Sequence, residues 1–421
     1  MQQLYSLTTA ARRALRTRTL RPAPKRRALA RAAVFCALAL VLIAQPGCGD
    51  RTSDRASDHA SESMVDRGAD PADTLPIQPI TPTASDPEAA LGYADAHAAE
   101  LGLSRHTFVE GLMGTQVAIT LYADDEADAR RAADAAFAEM RRLESVMSDY
   151  PQSYPDSELL GLAAAAVAEP GEPQPVSDDL WPVLWRAKQV YEATDGAFDI
   201  TARPFTGLWR VSRERGVLPP AEALAEHAPL VGMHHLVLDD ENQTAYLDAA
   251  GAWMDLGGIA KGYIADRAVD VLRDHGLTIV QVQAGGDMSF GDAPPGLEGW
   301  PVSVPDFPRD GGEEGAGLSF FHANGGASVS GDAFRFVEID GVRYSHVVDP
   351  RTGLGVTGSR YCCVRGPSAF ATDAAATAGC VMEDAAFDRA LEKLARIEGP
   401  LQGWRFQGAA QADAGAGDEA P

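Results

Sequence analysis

The 421-residue chain is 45% hydrophobic, enough for a large core, and by length alone allows two or three compact units. Its formal net charge of −24 and sequence pI near 4.7 exclude nucleic acid and argue against an anionic membrane surface as partners of a folded part this acidic.

The charge is unevenly placed. Arg12, Arg13, Arg16, Arg18, Arg21, Lys25, Arg26, Arg27 and Arg31 precede residue 32 with no acid among them. The apolar run from Ala32 to Ala44 follows, too short for a spanning helix and right for the h-region of an export signal. Cys48, directly after Gly47, resembles the Cys at which bacterial lipoproteins are cut and lipidated, although Gln45 stands where an aliphatic residue is usual. The sequence therefore predicts an export signal over 1–47, a chain on the periplasmic side of a bacterial membrane and a lipid anchor at Cys48, with ordinary cleavage or an uncleaved anchor as alternatives. Residues 48–88, rich in Ser, Asp, Pro and Thr, read as a disordered acidic tether, and residues 408–421 as a disordered tail.

Residues 89–407 read as one globular region without repeats. Val117–Tyr122 has the composition of a strand, and Glu126–Met147 is a helix with Ala133, Phe137, Met140, Leu143 and Met147 on one face. Further helices are predicted over 178–193, 259–275, 372–382 and 385–397, with strands at 235–238, 244–247 and 278–283. Few βαβ units appear, so the expected class is α+β, with mixed or antiparallel sheets flanked by helices. Cys362, Cys363 and Cys380 form no disulfide framework and read as buried thiols.

Three segments carry candidate chemistry. Asp255–Gly262 (DLGGIAKG) places an acid, two glycines and Lys261 at a helix entrance, where free N–H groups and the helix dipole favour an anion; the same pattern also occurs as plain structure. In Thr372–Thr377 (TDAAAT), Thr372 is a candidate cap, and Asp373 and Thr377 share one helix face four residues apart. A carboxylate with a hydroxyl suits Mg²⁺ or Ca²⁺ rather than zinc, while Asp in a first turn also serves as a dipole partner. Tyr344–Gly353 (YSHVVDPRTG) is a strand ending in an Asp-Pro turn, whose His346 is either a general base or a structural histidine.

Taken with MGT at 113–115, SDYPQSYPDSEL at 148–159, TDGAFDIT at 194–201 and QAGGD at 283–287, these segments resemble the ApbE family of flavin transferases over about residues 111–397. The resemblance implies a T-fold-related catalytic region, FAD as substrate, Mg²⁺ as cofactor and an acceptor protein bearing a Ser or Thr hydroxyl. It implies FAD contacts at Met113, Tyr150, Ala197, Phe198, Asp199, Asp255, Lys261 and His346. It also implies a metal site of Asp373 and Thr377 side chains with main-chain oxygens of Gly258 and Ala376. His346 is then the candidate base and Asp349 the residue that orients it. An Asn common in the family after SEL is replaced here by Leu160–Ala163. The alternatives are an FAD pyrophosphatase, which needs the same metal and pocket, and a non-catalytic flavin-binding lipoprotein.

Overall fold

The computed structural model describes residues 83–304, 317–331, 336–358 and 360–407. The export signal, Cys48, most of the proposed tether and the tail from 408 lie outside the described residues.

The first element is a helix that the sequence pattern does not announce. Helix α1 spans Pro87–Glu100, with Pro at its first position and the Asp86 carboxylate accepting the Ala89 N–H at 3.0 Å. The expected tether boundary at residue 88 therefore falls inside a helix. Its Ala90, Ala94 and Ala98 are buried at four-residue spacing, but small alanines give little contrast with their neighbours, which hides the periodicity.

Seven strands then form the central sheet: β1 (Ser104–Leu112), β2 (Thr115–Ala123), β6 (Val280–Ala284), β7 (Asp287–Phe290), β10 (Gly325–Gly331), β14 (Arg360–Gly366) and β15 (Gln402–Gln407). They neighbour one another in that order, and every pairing is antiparallel. Between them in the chain come the short strands β3 (Gln174–Pro175), β4 (Leu236–Asp239) and β5 (Thr244–Leu247), which form a small sheet, and the β8–β9 pair (Trp300–Val304, Leu318–His322). A third small sheet holds β11 (Phe336–Ile339), β12 (Val342–Asp349) and β13 (Leu354–Thr357). The fold is thus α+β, as the patterning implies.

Side-chain alternation divides the core. Val117, Ile119, Leu121, Val280, Val282, Cys362 and Val364 pack on one face of the central sheet, in the same cluster as the apolar sides of the helices that cover it. Tyr122, Met288, Phe290, Tyr361 and Cys363 pack on the other with α1 and Trp300. Cys362 and Cys363 thus point to opposite faces, which explains two adjacent buried, unbridged thiols.

The covering helices are α2 (Glu126–Met147), α3 (Glu158–Ala168), α4 (Trp181–Ala193), α5 (Arg203–Arg215), α6 (Ala221–His227), α7 (Ala260–Asp274), α8 (Ala369–Val381) and α9 (Asp384–Glu398). α7 lies between α2 and α8, and both α7 and α8 lean on the middle of the sheet. Helix α8 starts three residues earlier than the composition indicates. Its N-cap is Ser368, whose hydroxyl accepts the Ala371 N–H, so Thr372 is an interior residue rather than the cap. The Thr372 hydroxyl instead meets Ser328 Oγ at 2.9 Å in the core.

Candidate active site at the α7–α8 crossing

The close approach of α7 and α8 rests on Gly262. A Cβ there would stand 2.2 Å from the Ala369 carbonyl oxygen, so the crossing admits no larger residue without a shift. The contact brings Asp373 against the entrance of α7. No side chain of the preceding loop caps α7, and Asp373 Oδ2 accepts the Gly262 N–H at 3.0 Å. Asp266, on α7, does the same for α8. Its carboxylate accepts the Ala369 and Phe370 N–H groups at 3.0 and 2.9 Å and the Ser289 hydroxyl at 2.6 Å. The entrance of each helix is thus held by a carboxylate of the other.

Lys261 sits between two acids. Its Nζ lies 2.7 Å from Asp287 Oδ2 and 3.3 Å from both Asp373 oxygens, and donates to the Gly257 carbonyl at 3.0 Å. Burial alone would lower the pKa of this ammonium, but Asp287 and Asp373 outweigh it and raise it. Asp373 is fully buried, and burial with the neighbouring Asp287 charge pushes its pKa up to about 7. Asp287 is 2% exposed and its Oδ1 is buried without a hydrogen-bond partner.

Two buried carboxylates therefore share one lysine, and one acceptor oxygen is left over. That deficit of positive charge is what a small divalent cation relieves. The oxygen donors expected for it are close together. A Cβ on Gly258 would lie 3.2 Å from Thr377 Oγ1, and Thr377 Oγ1 is 3.2 Å from Ser330 Oγ. The Ala376 carbonyl lies inside α8 and accepts the Cys380 thiol at 3.4 Å. Gly258, Asp373 and Thr377 suit a hard, oxygen-liganded ion such as Mg²⁺; among the described residues no group of three His, Cys, Asp or Glu side chains competes as a metal site.

Phe198 is buried and its ring borders Gly258, since a Cβ on that glycine would stand 3.2 Å from Phe198 Cε2. Ala197 is buried beside it. Asp199 turns inward: one carboxylate oxygen accepts the Thr201 N–H and hydroxyl at 2.7 and 2.5 Å, and burial raises its pKa against those bonds. Asp255 is likewise committed within the protein. It accepts the Gly257 N–H at 2.9 Å, the Thr206 hydroxyl at 2.7 Å and Arg210 at 2.7 Å. Burial opposes its ionisation, and Arg210 with the Gly257 N–H and Thr206 prevails, holding its pKa below the usual carboxylate value.

Arg210 also binds Asp149 at 2.7 Å and lies under the ring of Tyr150, 4.5 Å from its centroid. Asp149 takes a second guanidinium from Arg203 at 2.5 Å. Nothing in the sequence pattern points to Arg203, Thr206, Arg210 or Ser330 as neighbours of the site, and Asp149, although within the SDYPQSYPDSEL motif, is not singled out by it. Asp287 lies within the QAGGD motif, but the motif alone does not single it out.

Met113 and Gly114 form the two-residue turn between β1 and β2, both with positive φ (53° and 65°), as a type I′ hairpin turn requires. The turn edges a groove of about 410 Å³ with Thr115, Glu144, Ser153 and Tyr154. It adjoins the β6–β7 turn that leads into Asp287, since Gly285 N donates to the Gln116 carbonyl at 3.1 Å.

His346 is on β12, a strand packed against both α5 and α8. The Asp349 carboxylate is held by the Arg351 side chain at 2.7 and 2.8 Å and by its N–H at 2.9 Å, in the turn that ends the strand. These contacts anchor Asp349 in the turn three residues beyond His346.

These features define an α+β protein built on one antiparallel sheet, with a charged oxygen-rich centre where two helices cross. The ApbE family model matches residues 113–399, more than half of the chain, and the protein belongs to the ApbE family. Among its relatives, a FAD:protein FMN transferase of Klebsiella pneumoniae (strain 342) is 29% identical over 243 residues, 58% of this chain and 71% of the relative. The protein of that name from Escherichia coli (strain K12) is 32% identical over 187 residues, 43% of this chain and 52% of its own length. Of solved structures, the ApbE protein of Thermotoga maritima aligns with a TM-score of 0.60 at 25% identity, covering 72% of this chain and 97% of its own. The flavin transferase ApbE from Vibrio cholerae, also at 0.60 and 24% identical over 73% of this chain and 97% of its own, shares the fold.

Proposed function

We propose that this chain is a FAD:protein FMN transferase that moves FMN from FAD onto a Ser or Thr hydroxyl of an acceptor protein and releases AMP. The observation that carries the reading is the cluster of Lys261, Asp287 and Asp373 at the glycine-led entrance of α7, one positive charge short of balance. A pyrophosphate with its accompanying cation supplies matching charges of both signs.

Gly257 and Gly258 let the diphosphate approach the main chain, and Lys261 presents a cation to it. Asp373, Thr377 and the Gly258 and Ala376 carbonyls would hold Mg²⁺, which would supply charge neutralisation on the pyrophosphate as the phosphorus is attacked. Phe198 beside Gly258 excludes water from one side of this centre. His346 removes the proton of the attacking hydroxyl.

Incubating the protein with FAD, Mg²⁺ and a candidate acceptor, then reading in-gel flavin fluorescence and AMP release, tests the proposal. Labelled acceptor with equimolar AMP is expected. AMP and FMN with no labelled protein would instead identify a FAD pyrophosphatase, and flavin retention without AMP a passive binder. His346→Ala is expected to lower transfer about 10²–10⁴-fold while FAD affinity, measured by fluorescence quenching, stays near wild type. Equal loss of both would assign His346 to flavin binding, and normal transfer would remove it from the reaction.

A further inference from the structure

We infer that Arg210 is a positioning residue that holds the Tyr150 ring as a stacking platform for a planar ring of FAD and ties that platform to the Gly257–Gly258 loop. The inference rests on the flavin reading above. Tyr150 is 50% exposed although it is a large aromatic, and the guanidinium of Arg210 covers one ring face at 4.5 Å. The other face is the one left for a ligand ring, because aromatic systems stack in offset pairs.

Arg210 is fixed by more than that ring. One terminal nitrogen donates to Asp149 Oδ2 at 2.7 Å and the other to Asp255 Oδ2 at 2.7 Å. Asp149 precedes Tyr150 in the chain and is also held by Arg203 at 2.5 Å, so the main chain that carries the platform is anchored beside the ring. Asp255 Oδ1 in turn accepts the Gly257 N–H at 2.9 Å. A continuous path runs from the Tyr150 ring through the guanidinium and the Asp255 carboxylate to the main chain next to Gly258. Two guanidinium groups balance two carboxylates along it, and the planar fork of Arg is what allows one side chain to bridge both acids while lying flat under a ring. A lysine offers one point charge and cannot do all three.

The test compares Arg210→Lys, Tyr150→Ala and the double variant with wild type, using FAD, FMN and ADP as separate probes in fluorescence and calorimetric titrations. Arg210→Lys is expected to weaken FAD by about tenfold, the size of a desolvated cation–π contact. It should weaken only one of FMN and ADP, the half whose ring stacks on Tyr150. In the Tyr150→Ala background the lysine substitution should add no further loss, since Arg210 acts through that ring. Tyr150 is half exposed, so its alanine variant remains folded and keeps the comparison usable should the lysine variant melt early. Unchanged FAD binding in Arg210→Lys, equal loss of FMN and ADP, or a full tenfold loss persisting without Tyr150 would each overturn the inference. A wild-type protein that binds no FAD would sink the flavin reading itself, an outcome separate from these three.

Discussion

Asp373 carries two loads that a substitution can separate. It bonds the Gly262 N–H, which an amide oxygen can still accept, and it supplies negative charge, which an amide cannot. Asp373→Asn is therefore expected to fold with a melting temperature in the absence of Mg²⁺ at or above that of the wild type, because it removes one of two adjacent buried carboxylates. Mg²⁺ should raise the wild-type melting temperature by mass action and leave the variant unmoved, with transfer abolished. A thermal melt with and without Mg²⁺ checks this, and an equal Mg²⁺ shift in both proteins would remove Asp373 from the metal site. At this scale the sequence is a partial guide. Gly258, Lys261, Asp373 and Thr377 are legible because helix spacing and a glycine-led entrance are local patterns, and the fold does bring them together. Asp287 and Arg210 are not, because their significance comes from partners 26 and 45 residues away in the chain. The resemblance implies FAD contacts at Asp199 and Asp255, and the carboxylates of both also accept the protein's own donors, which no local pattern announces.

The α7–α8 pair is the element on which the site depends, and Asp266 is its most testable joint. Burial raises the Asp266 pKa to about 6 from 3.8, against the bonds from Ser289, Phe370 and Ala369 that favour the charged form. Between those values the folded state holds the proton more tightly than the unfolded chain, so this residue's contribution to stability is complete below about pH 4 and is lost as pH rises through 6. The window is worth about 2–3 kcal/mol as an order of magnitude. Urea midpoints at pH 4 and pH 7 should accordingly show a pH-dependent component in the wild type that disappears in Asp266→Asn; identical slopes would exclude it. Asp266→Ala is expected to cost about 2–4 kcal/mol at pH 7, since it leaves two N–H groups of the α8 entrance without acceptors, and more at pH 4, where the residue's pH-dependent contribution is complete. Most strands and helices near this pair are legible from periodicity. The start of α8 is not, because Ser368, upstream of the expected start, outcompetes Thr372 as cap. Helix α1 escapes the pattern because alanine marks a buried face only weakly, and the sheet order cannot be read at all, since pairing depends on contacts distant in sequence.

At the scale of the whole molecule, no helix among the described residues is long and apolar enough to cross a membrane. For attachment to a bilayer we propose a lipid on Cys48, which lies outside the described residues. Cys48→Ser is expected to move the protein from the detergent phase to the aqueous phase on partitioning of whole cells; a wild type already aqueous would exclude the anchor. The helix crossing also has a temporal meaning. Gly262 and Asp373 are separated by more than a hundred residues, and the strands on which α7 and α8 rest, β6, β7, β10 and β14, are drawn from positions 280 to 366. While a growing or threading chain has delivered only its glycine-led loop, the acid that completes the charged centre does not yet exist in space. Fragments ending before α8 are thus deprived of the proposed cation site however well their earlier strands pair, and competence for chemistry comes late and all at once, when about the final eighth of the chain is free to dock.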